Sequence, residues 1–361
     1  MRHLYYNINN IEVRRTKTNM KVDGAPRFVD YAYDLNGNIT SLVRDGDDGV
    51  DVIAWIDNLS YEYDGNKVKK ITDTNGDVIS ERTIDFPDLA DLDVEYTYDR
   101  NGNMTSDANR GMDMKWDANN RLSKVENDNM TMSFGRTGSG TKLSTRVYTG
   151  IKLNPTYPGL LRSNSLGGYP FFPRDSVPVI PGDSVTSVNN VTLTEYFGAY
   201  EYENGKFSRL NTVTGYRDIE GTHVYVRDWQ GNIRAVVRRN AQGVVELEQA
   251  TYYYPYGMPM AESTNPTINK YKYTGKELLT DKGVNIMDYG ARFYDPTTCL
   301  WLSPDPHSAD YAPMSHYAMC AGDPINFVDI TGLDPFSVTF SLGARLGVGI
   351  GKFNANLDFG S

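Results

Sequence analysis

The unit that predicts the fold reads Tyr31-Ala32-Tyr33-Asp34-Leu35-Asn36-Gly37-Asn38-Ile39-Thr40. Its two tyrosines stand two positions apart, so they lie on one face of a β-strand. Asp34 starts a turn by accepting hydrogen bonds from its own backbone, and Gly37 supplies the positive φ that the turn requires. Ile39 then opens the return strand. We therefore expect a β-hairpin with an aromatic face.

The same unit recurs at irregular intervals, with copies that begin at Tyr61, Tyr96, Trp116 and Tyr225. The predicted turn residues of the best copies are Asp34, Gly37, Asp99, Gly102, Asp228 and Gly231. One hairpin alone is marginally stable in water, so the units must pack side by side. We expect an all-β fold: a strongly curved antiparallel sheet, with tyrosines on its concave side or in the inter-strand ladder.

Composition excludes several classes of function. The chain has 361 residues and a formal net charge of −10, which argues against a nucleic-acid partner and against binding to an anionic membrane surface. No run approaches the roughly 18 apolar residues of a membrane span. The first twenty residues lack the apolar region of a cleavable secretory signal.

No metal and no cofactor is expected from the motifs. The Asp-x-Asn-Gly-Asn turns differ from a calcium-binding loop in the position of their glycine, and the acidic run 45–51 is interpreted as a solvated loop. Cys299, His307, His316 and Cys320 fall within 22 residues. They could form a zinc site, the two cysteines could form a disulfide, or all four could be unrelated packing and surface residues.

The C-terminal part of the chain contains a dense series of motifs. These include Tyr252-Tyr253-Tyr254-Pro255-Tyr256-Gly257, Tyr289-Gly290-Ala291-Arg292-Phe293-Tyr294-Asp295-Pro296 and Trp301-Leu302-Ser303-Pro304-Asp305-Pro306. In order and register they resemble the Rhs repeat-associated core domain in its Bacteroidetes form, and the hairpin units resemble YD repeats. The resemblance covers residues 251–334 and, with the repeats, most of the chain.

That resemblance implies the C-terminal part of a polymorphic toxin, in which a β-ribbon forms a shell around a toxin and the core domain caps the shell. Five recognisable repeats suggest a partial cocoon. In several family members the core domain also acts as an aspartyl autoprotease. Carried over by position, the catalytic residues are Asp305, Asp329 and Arg292, and the cleaved bond joins Leu333 to Asp334.

This sequence departs from the family pattern at both aspartate motifs. Asp305-Pro306-His307-Ser308 lacks the expected glycine, and Asp329-Ile330-Thr331-Gly332 lacks the expected proline. Cys299-Leu300 stands where a Gly-Arg pair is usual. The alternative interpretation of both aspartates is that they begin or end turns.

The predicted domain organisation has five parts. These are hairpins over 1–150, a Pro-, Ser- and Gly-rich insert or linker over 151–195, further hairpins over 196–250, the core domain over 251–334, and a variable tail over 335–361. The tail is expected to form one or two strands, as the remnant of a toxin or as an edge strand docked to the shell.

Three functions compete at this point. The first is a shell or carrier portion of an Rhs-type toxin used in interbacterial competition. The second is a one-turnover autoprotease that cleaves after Leu333, and the third is a surface carbohydrate-binding module that uses the tyrosines. The expected partners are the chain's own C-terminal toxin segment or a longer Rhs chain, with an immunity protein or a cell-surface glycan as alternatives. The resemblance implies a secreted or cell-surface location.

Overall fold

The computed structural model describes residues 2–8, 11–22, 25–47, 53–75, 84–149, 190–240, 242–311, 313–333, 335–341, 345–348 and 355–358. Over these residues the protein is all-β, as predicted: every strand pairing is antiparallel and no α-helix is formed. None of the short helices in these ranges is long and apolar enough to cross a membrane.

The first sheet contains six strands, and each pairs with its neighbour in sequence. They are β1 (Arg2–Ile8), β2 (Ile11–Val22), β3 (Ala25–Tyr33), β4 (Ile39–Asp47), β5 (Ile53–Asp64) and β6 (Lys67–Asp73). Residues 45–47 of the acidic run therefore lie in a strand, which corrects their interpretation as a loop, and residues 48–51 lie outside the described residues. Asp45 is held there because its Oδ1 accepts a hydrogen bond of 2.6 Å from Phe28 N.

The second sheet contains thirteen strands in the same consecutive order. They are β7 (Tyr96–Tyr98), β8 (Met104–Asp107), β9 (Met112–Trp116), β10 (Leu122–Asn127), β11 (Met130–Arg136), β12 (Lys142–Thr149), β13 (Asn190–Phe197), β14 (Tyr200–Glu203), β15 (Lys206–Thr212), β16 (Gly215–Arg217), β17 (Thr222–Arg227), β18 (Ile233–Arg239) and β19 (Val245–Ala250). A backbone hydrogen bond from Glu95 N to Lys69 O joins this sheet to β6.

Strands β12 and β13 pair directly, from Ser144 opposite Glu195 to Thr149 opposite Asn190. The segment between them therefore connects two neighbouring strands. The predicted insert over 151–195 ends earlier than expected, because β13 already begins at Asn190, and residues 151–189 lie outside the described residues. The division into domains stays a prediction.

Residues 251–333, called here the C-terminal block, contain a small four-stranded sheet, the first strand of a second four-stranded sheet and several 3-10 helices. The first sheet contains β20 (Glu277–Leu279), β21 (Ile286–Asp288), β22 (Phe293–Asp295) and β23 (Leu300–Trp301). The second contains β24 (Phe327–Asp329), β25 (Pro335–Ser341), β26 (Arg345–Val348) and β27 (Ala355–Asp358). The 3-10 helices cover Tyr273–Gly275, Asp281–Gly283, Ser308–Tyr311 and Met319–Gly322.

The tail beyond the C-terminal block differs from the sequence expectation. It forms three strands rather than one or two, and β25 pairs with β24 of the block. The third strand, β27, consists of Ala-Asn-Leu-Asp, which has little intrinsic strand preference. The sequence alone did not predict β27, because its pairing with β26, and not a side-chain pattern, defines it as a strand.

The turns of the three best repeat copies share one backbone geometry. In the first, Asp34 N donates to Asn38 O at 2.9 Å, Gly37 N donates to Asp34 O at 3.1 Å, and φ of Gly37 is +81°. The Asp34 carboxylate also accepts from the backbone of Asn36 and Asn38 and from the side chain of Asn38. This is the three-residue hairpin loop in which a left-handed residue closes a type I turn.

Both large sheets turn one face toward the C-terminal block. Tyr33 OH lies 2.8 Å from Tyr256 OH, Phe134 packs on Phe293, and Tyr253 OH donates to Ile233 O. Strands β3, β11 and β18, which are far apart in the strand order, thus contact the same block. The strand array wraps around the C-terminal block, and one continuous hydrophobic core fills most of the interface.

The tyrosines of the first repeat copies pack in this core. Tyr31 and Tyr33 are buried and their rings stack at 6.5 Å, and the rings of Tyr61 and Tyr63 stack at 6.3 Å. The i, i+2 spacing therefore places both rings on one face, as expected from the pleat.

Candidate functional site

The three residues predicted to be catalytic lie together in the C-terminal block. Arg292 Nη2 is 2.8 Å from Asp305 Oδ2 and 3.4 Å from Asp329 Oδ2. Arg292 Nε also donates to Gly332 O at 2.6 Å. One guanidinium thus contacts both carboxylates and the chain just before the predicted cleavage position.

Local structure holds Arg292 in this position. It ends the turn that begins at Tyr289, whose backbone N–H donates to Arg292 O, and it directly precedes β22. Its guanidinium lies 4.0 Å from the ring centroid of Trp301, on the paired strand β23. Stacking on an indole ring and hydrogen bonds to carboxylates are both typical of arginine rather than lysine.

Asp329 is the more enclosed of the two carboxylates. It ends β24, is 2% exposed, and its Oδ1 accepts hydrogen bonds from Thr331 N at 3.0 Å and Gly332 N at 2.6 Å. Burial raises the pKa of Asp329, although Arg292 and the two backbone donors act in the opposite direction. Burial likewise lowers the pKa of Arg292. Asp329 therefore holds a proton at higher pH than an ordinary aspartate does.

Asp305 instead faces an open cleft of about 640 Å³. Its backbone N–H donates to His316 O, and its Oδ1 accepts from His307 N at 2.8 Å. The repeat turn at Gly102 forms part of the opposite wall of the cleft. Water can therefore reach Asp305 from a polar cleft between the repeats and the C-terminal block.

The residues just before the predicted cleavage position lie beside Asp329 and Arg292. Strands β24 and β25 form a hairpin in which Asp329 pairs with Pro335. The segment between these two residues is the connection of that hairpin. Leu333 is partly buried, and Asp334 lies outside the described residues.

The other two predicted repeat turns match the first in detail. Asp99 and Asp228 each accept hydrogen bonds on one carboxylate oxygen from two backbone N–H groups, as Asp34 does. Their glycines have φ of +87° at Gly102 and +85° at Gly231. These aspartates are thus occupied within their own turns.

Sequence reasoning missed turns of the same backbone geometry that lack the aspartate. They begin at Thr137, Asn240 and Tyr254, and a glycine with positive φ stands at the fourth position of each. The signal that could have found them is the glycine spacing rather than the Tyr-Asp pair. The looser copy at Tyr61 differs, because Asp64 pairs directly with Lys67 across a two-residue turn.

The structure bears on the three interpretations of the cysteines and histidines, namely a zinc site, a disulfide and unrelated residues. Cys299 and Cys320 are both free and buried, so they form no disulfide, and burial raises the pKa of both thiols. Among the described residues, these cysteines, His307 and His316 do not form a group of metal ligands. The group that does occur there is Asp57, Asp73 and Asp85, which no sequence motif indicated.

The burial of the repeat tyrosines bears on the carbohydrate-binding alternative. Tyr31, Tyr33, Tyr61 and Tyr96 are all enclosed in the core. A sugar ring stacks only on an exposed aromatic face, so these tyrosines provide no such surface. Carbohydrate binding itself stays a prediction.

No protein-family model matches this chain, and no curated protein matches it. Among solved structures, the crystal structure of TcdB2-TccC3-TEV aligns with 89% of this chain and 18% of that chain, at 16% identity and a TM-score of 0.43. TcdB2-TccC3 aligns with 90% of this chain and 19% of that chain, at 16% identity and 0.43. The Photorhabdus luminescens Tc holotoxin pore with a substituted TccC3 aligns with 91% and 18%, at 16% identity and 0.44. This chain therefore spans about a fifth of the length of each of those chains.

Proposed function

We propose that this chain is a shell or carrier portion of an Rhs-type polymorphic toxin used in interbacterial competition. The observation that supports the carrier role is the wrapped array: strands as distant as β3 and β18 contact the same C-terminal block. The chain's own C-terminal segment leaves this block through β25, which pairs with β24. The toxin itself would follow in a longer product, and secretion belongs to the same proposal.

We further propose that the block cuts the chain once, between Leu333 and Asp334. The observation that favours this second function is the contact of Arg292 with Asp305, Asp329 and Gly332 O. Separate sequence motifs contribute these residues, and the 330–334 connection lies directly beside them. Turn formation alone would not require both carboxylates to share one guanidinium.

The environments of the two carboxylates suggest different roles. Asp305 faces the cleft and has the closer contact with Arg292, so it is the base that takes a proton from an attacking water. Asp329 is buried with a raised pKa, so it is the acid. The water oxygen bonds to the Leu333 carbonyl carbon, the C–N bond breaks, and the amide nitrogen of residue 334 receives a proton from Asp329.

One preparation of the full chain tests both proposals. Denaturing mass spectrometry is expected to find fragments 1–333 and 334–361, and Asp305→Asn or Asp329→Asn is expected to leave the chain intact. Asp310→Asn is the matched control, because Asp310 is an exposed aspartate of the same block and should leave cleavage unchanged. An intact wild-type chain, or fragments that persist in both variants, would rule out self-cleavage by this pair.

Limited trypsin digestion of the same sample tests the carrier role. A shell that holds its C-terminal segment protects Arg345 in β26, whereas Arg100 at an exposed turn tip is cut early. Cleavage at Arg345 as fast as at Arg100 contradicts the carrier role, whatever the outcome for self-cleavage.

A further inference from the structure

Three carboxylates meet inside the first sheet, far in sequence from the C-terminal block. Asp57 lies in β5, Asp73 ends β6, and Asp85 lies in the segment that leads to β7. One ligand oxygen from each lies within 4.8 Å of those of the other two. Asp57 and Asp73 are buried and Asp85 is partly buried, so this group differs from an ordinary exposed acidic patch.

The hydrogen bonds of Asp73 leave one of its two carboxylate oxygens without a donor. Asp57 accepts from Arg44 Nε at 2.7 Å and from Phe86 N at 3.2 Å. Asp73 Oδ1 accepts from Asn58 N and from Asn75 N, both at 2.9 Å. Asp73 Oδ2 is enclosed, has no hydrogen-bond partner, and belongs to a residue that is only 8% exposed.

A further carboxylate and one cation contact the cluster. A fourth carboxylate, Asp88, accepts from Asp73 N at 2.9 Å, while Arg44 is the cation in contact with Asp57. Buried carboxylates are normally paired with a cation or bound to a metal, because an isolated buried charge is strongly unfavourable.

We propose that Asp57, Asp73 and Asp85 form a binding site for a divalent cation of the calcium or magnesium type. Carboxylate oxygens are the ligands that these hard cations prefer, whereas zinc favours sulfur and nitrogen. Asp73 Oδ2 is one of the ligands in this proposal, because this enclosed oxygen has no hydrogen-bond donor. A bound cation would tie the β5–β6 hairpin to the segment that begins the second sheet.

The test uses the full chain, stripped with EDTA and then titrated with CaCl₂ or MgCl₂ in isothermal titration calorimetry and thermal unfolding. We expect saturable binding of one cation, and a melting temperature that rises with cation concentration as linkage requires. Asp73→Asn keeps the shape of the side chain and removes its charge. It should weaken binding by roughly tenfold or more and abolish the thermal shift.

The controls separate a site from general effects. Asp93→Asn removes an exposed aspartate of the 84–95 segment and should bind the cation like the wild type. Asp85→Asn is a second ligand variant, and equal melting temperatures of the variants and wild type in EDTA establish that they fold. No binding by the wild type, a shift that NaCl at matched ionic strength reproduces, or full binding by both ligand variants would overturn the proposal.

Discussion

The two halves of the thirteen-stranded sheet face the C-terminal block with different chemistry. Strands β7–β12 contribute an apolar face rich in methionine, namely Met104, Met112, Met114, Met130 and Met132 together with Val125 and Phe134. Among the described residues, strands β13–β19 contribute three buried residues, Tyr216, Ile233 and Val236, and the partly buried Tyr225 to a small separate cluster. The same hairpin repeat therefore supports two kinds of interface.

Ion pairs and hydrogen bonds to the block begin at Lys142 in β12, the last strand of the first half, and continue into the second half. Glu277 of β20 contacts Lys142 Nζ at 2.5 Å, Lys270 Nζ at 2.9 Å and Tyr196 OH at 2.8 Å. Glu201 of β14 contacts Lys270 Nζ at 2.8 Å. The repeat thus specifies the strand and its turn, whereas the side chains between the turns specify how each half docks.

The largest loss of stability is expected from a substitution that disrupts the apolar interface. Met132 is fully buried in β11, and Met132→Ala should lower the free energy of unfolding by about 2–5 kcal/mol through lost contacts and a cavity. Leu247 in β19 is 61% exposed, and Leu247→Ala should change it by no more than about 0.5 kcal/mol. Urea denaturation followed by tryptophan fluorescence measures both, and equal losses would contradict the contrast between the halves.

The next effect concerns acid pH and the polar interface. Burial alone would raise the pKa of Glu277, but Lys142 and Lys270 outweigh it and lower the pKa to about 2, from 4.5 in the unfolded chain. The folded pKa is the lower one, so this contribution to stability is complete above about pH 4.5 and is lost as pH falls toward 2. Tyr196 also faces Glu277, and Asp288 shares Lys142 with it.

Glu277→Gln isolates that contribution. The variant should be less stable than the wild type by about 2–3 kcal/mol at pH 6, because two lysines lose a buried partner. The difference should shrink between pH 4.5 and pH 3 in thermal unfolding monitored by circular dichroism. Glu246→Gln, at an exposed position of β19, serves as the control. A difference that does not depend on pH would mean that the ion pairs do not stabilise the second half.

The smallest loss of stability is expected from a substitution at the turn glycine, which can be compared between the two halves. Gly102 and Gly231 have nearly the same φ, +87° and +85°, but different surroundings. A Cβ at Gly231 meets open space, so Gly231→Ala should cost about 1 kcal/mol from backbone strain alone. A Cβ at Gly102 would lie 2.7 Å from Tyr317 OH, so Gly102→Ala should cost more. Equal melting temperatures of the two variants would show that packing against the block adds nothing.

The sequence predicted the elements that depend on local chemistry. The Tyr-x-Tyr-Asp pattern predicted strands, turns and inward-facing rings, because the pleat and the Asx turn are properties of a few consecutive residues. The resemblance to a known domain brought Arg292, Asp305 and Asp329 to notice, and the structure places them in contact.

What could not be predicted depends on contacts between distant residues. Lys142 and Glu277 are 135 positions apart, and no sequence pattern indicated that they contact each other. The Asp57, Asp73 and Asp85 cluster arises because β5 pairs with β6 and the chain then returns past both strands. Strand β27 was missed because its pairing, and not its composition, makes it a strand.

The five-residue turn at Asp34 is complete within itself, since its hydrogen bonds close between Asp34 and Asn38. A whole hairpin added to the array by gene duplication would therefore include its own turn. The alternation of buried and exposed side chains in later strands would stay unchanged. Gain or loss of a single residue within a strand would instead exchange the two faces of that strand. Related proteins should accordingly differ in length by complete hairpins, and the strand array can lengthen without any change in its turns.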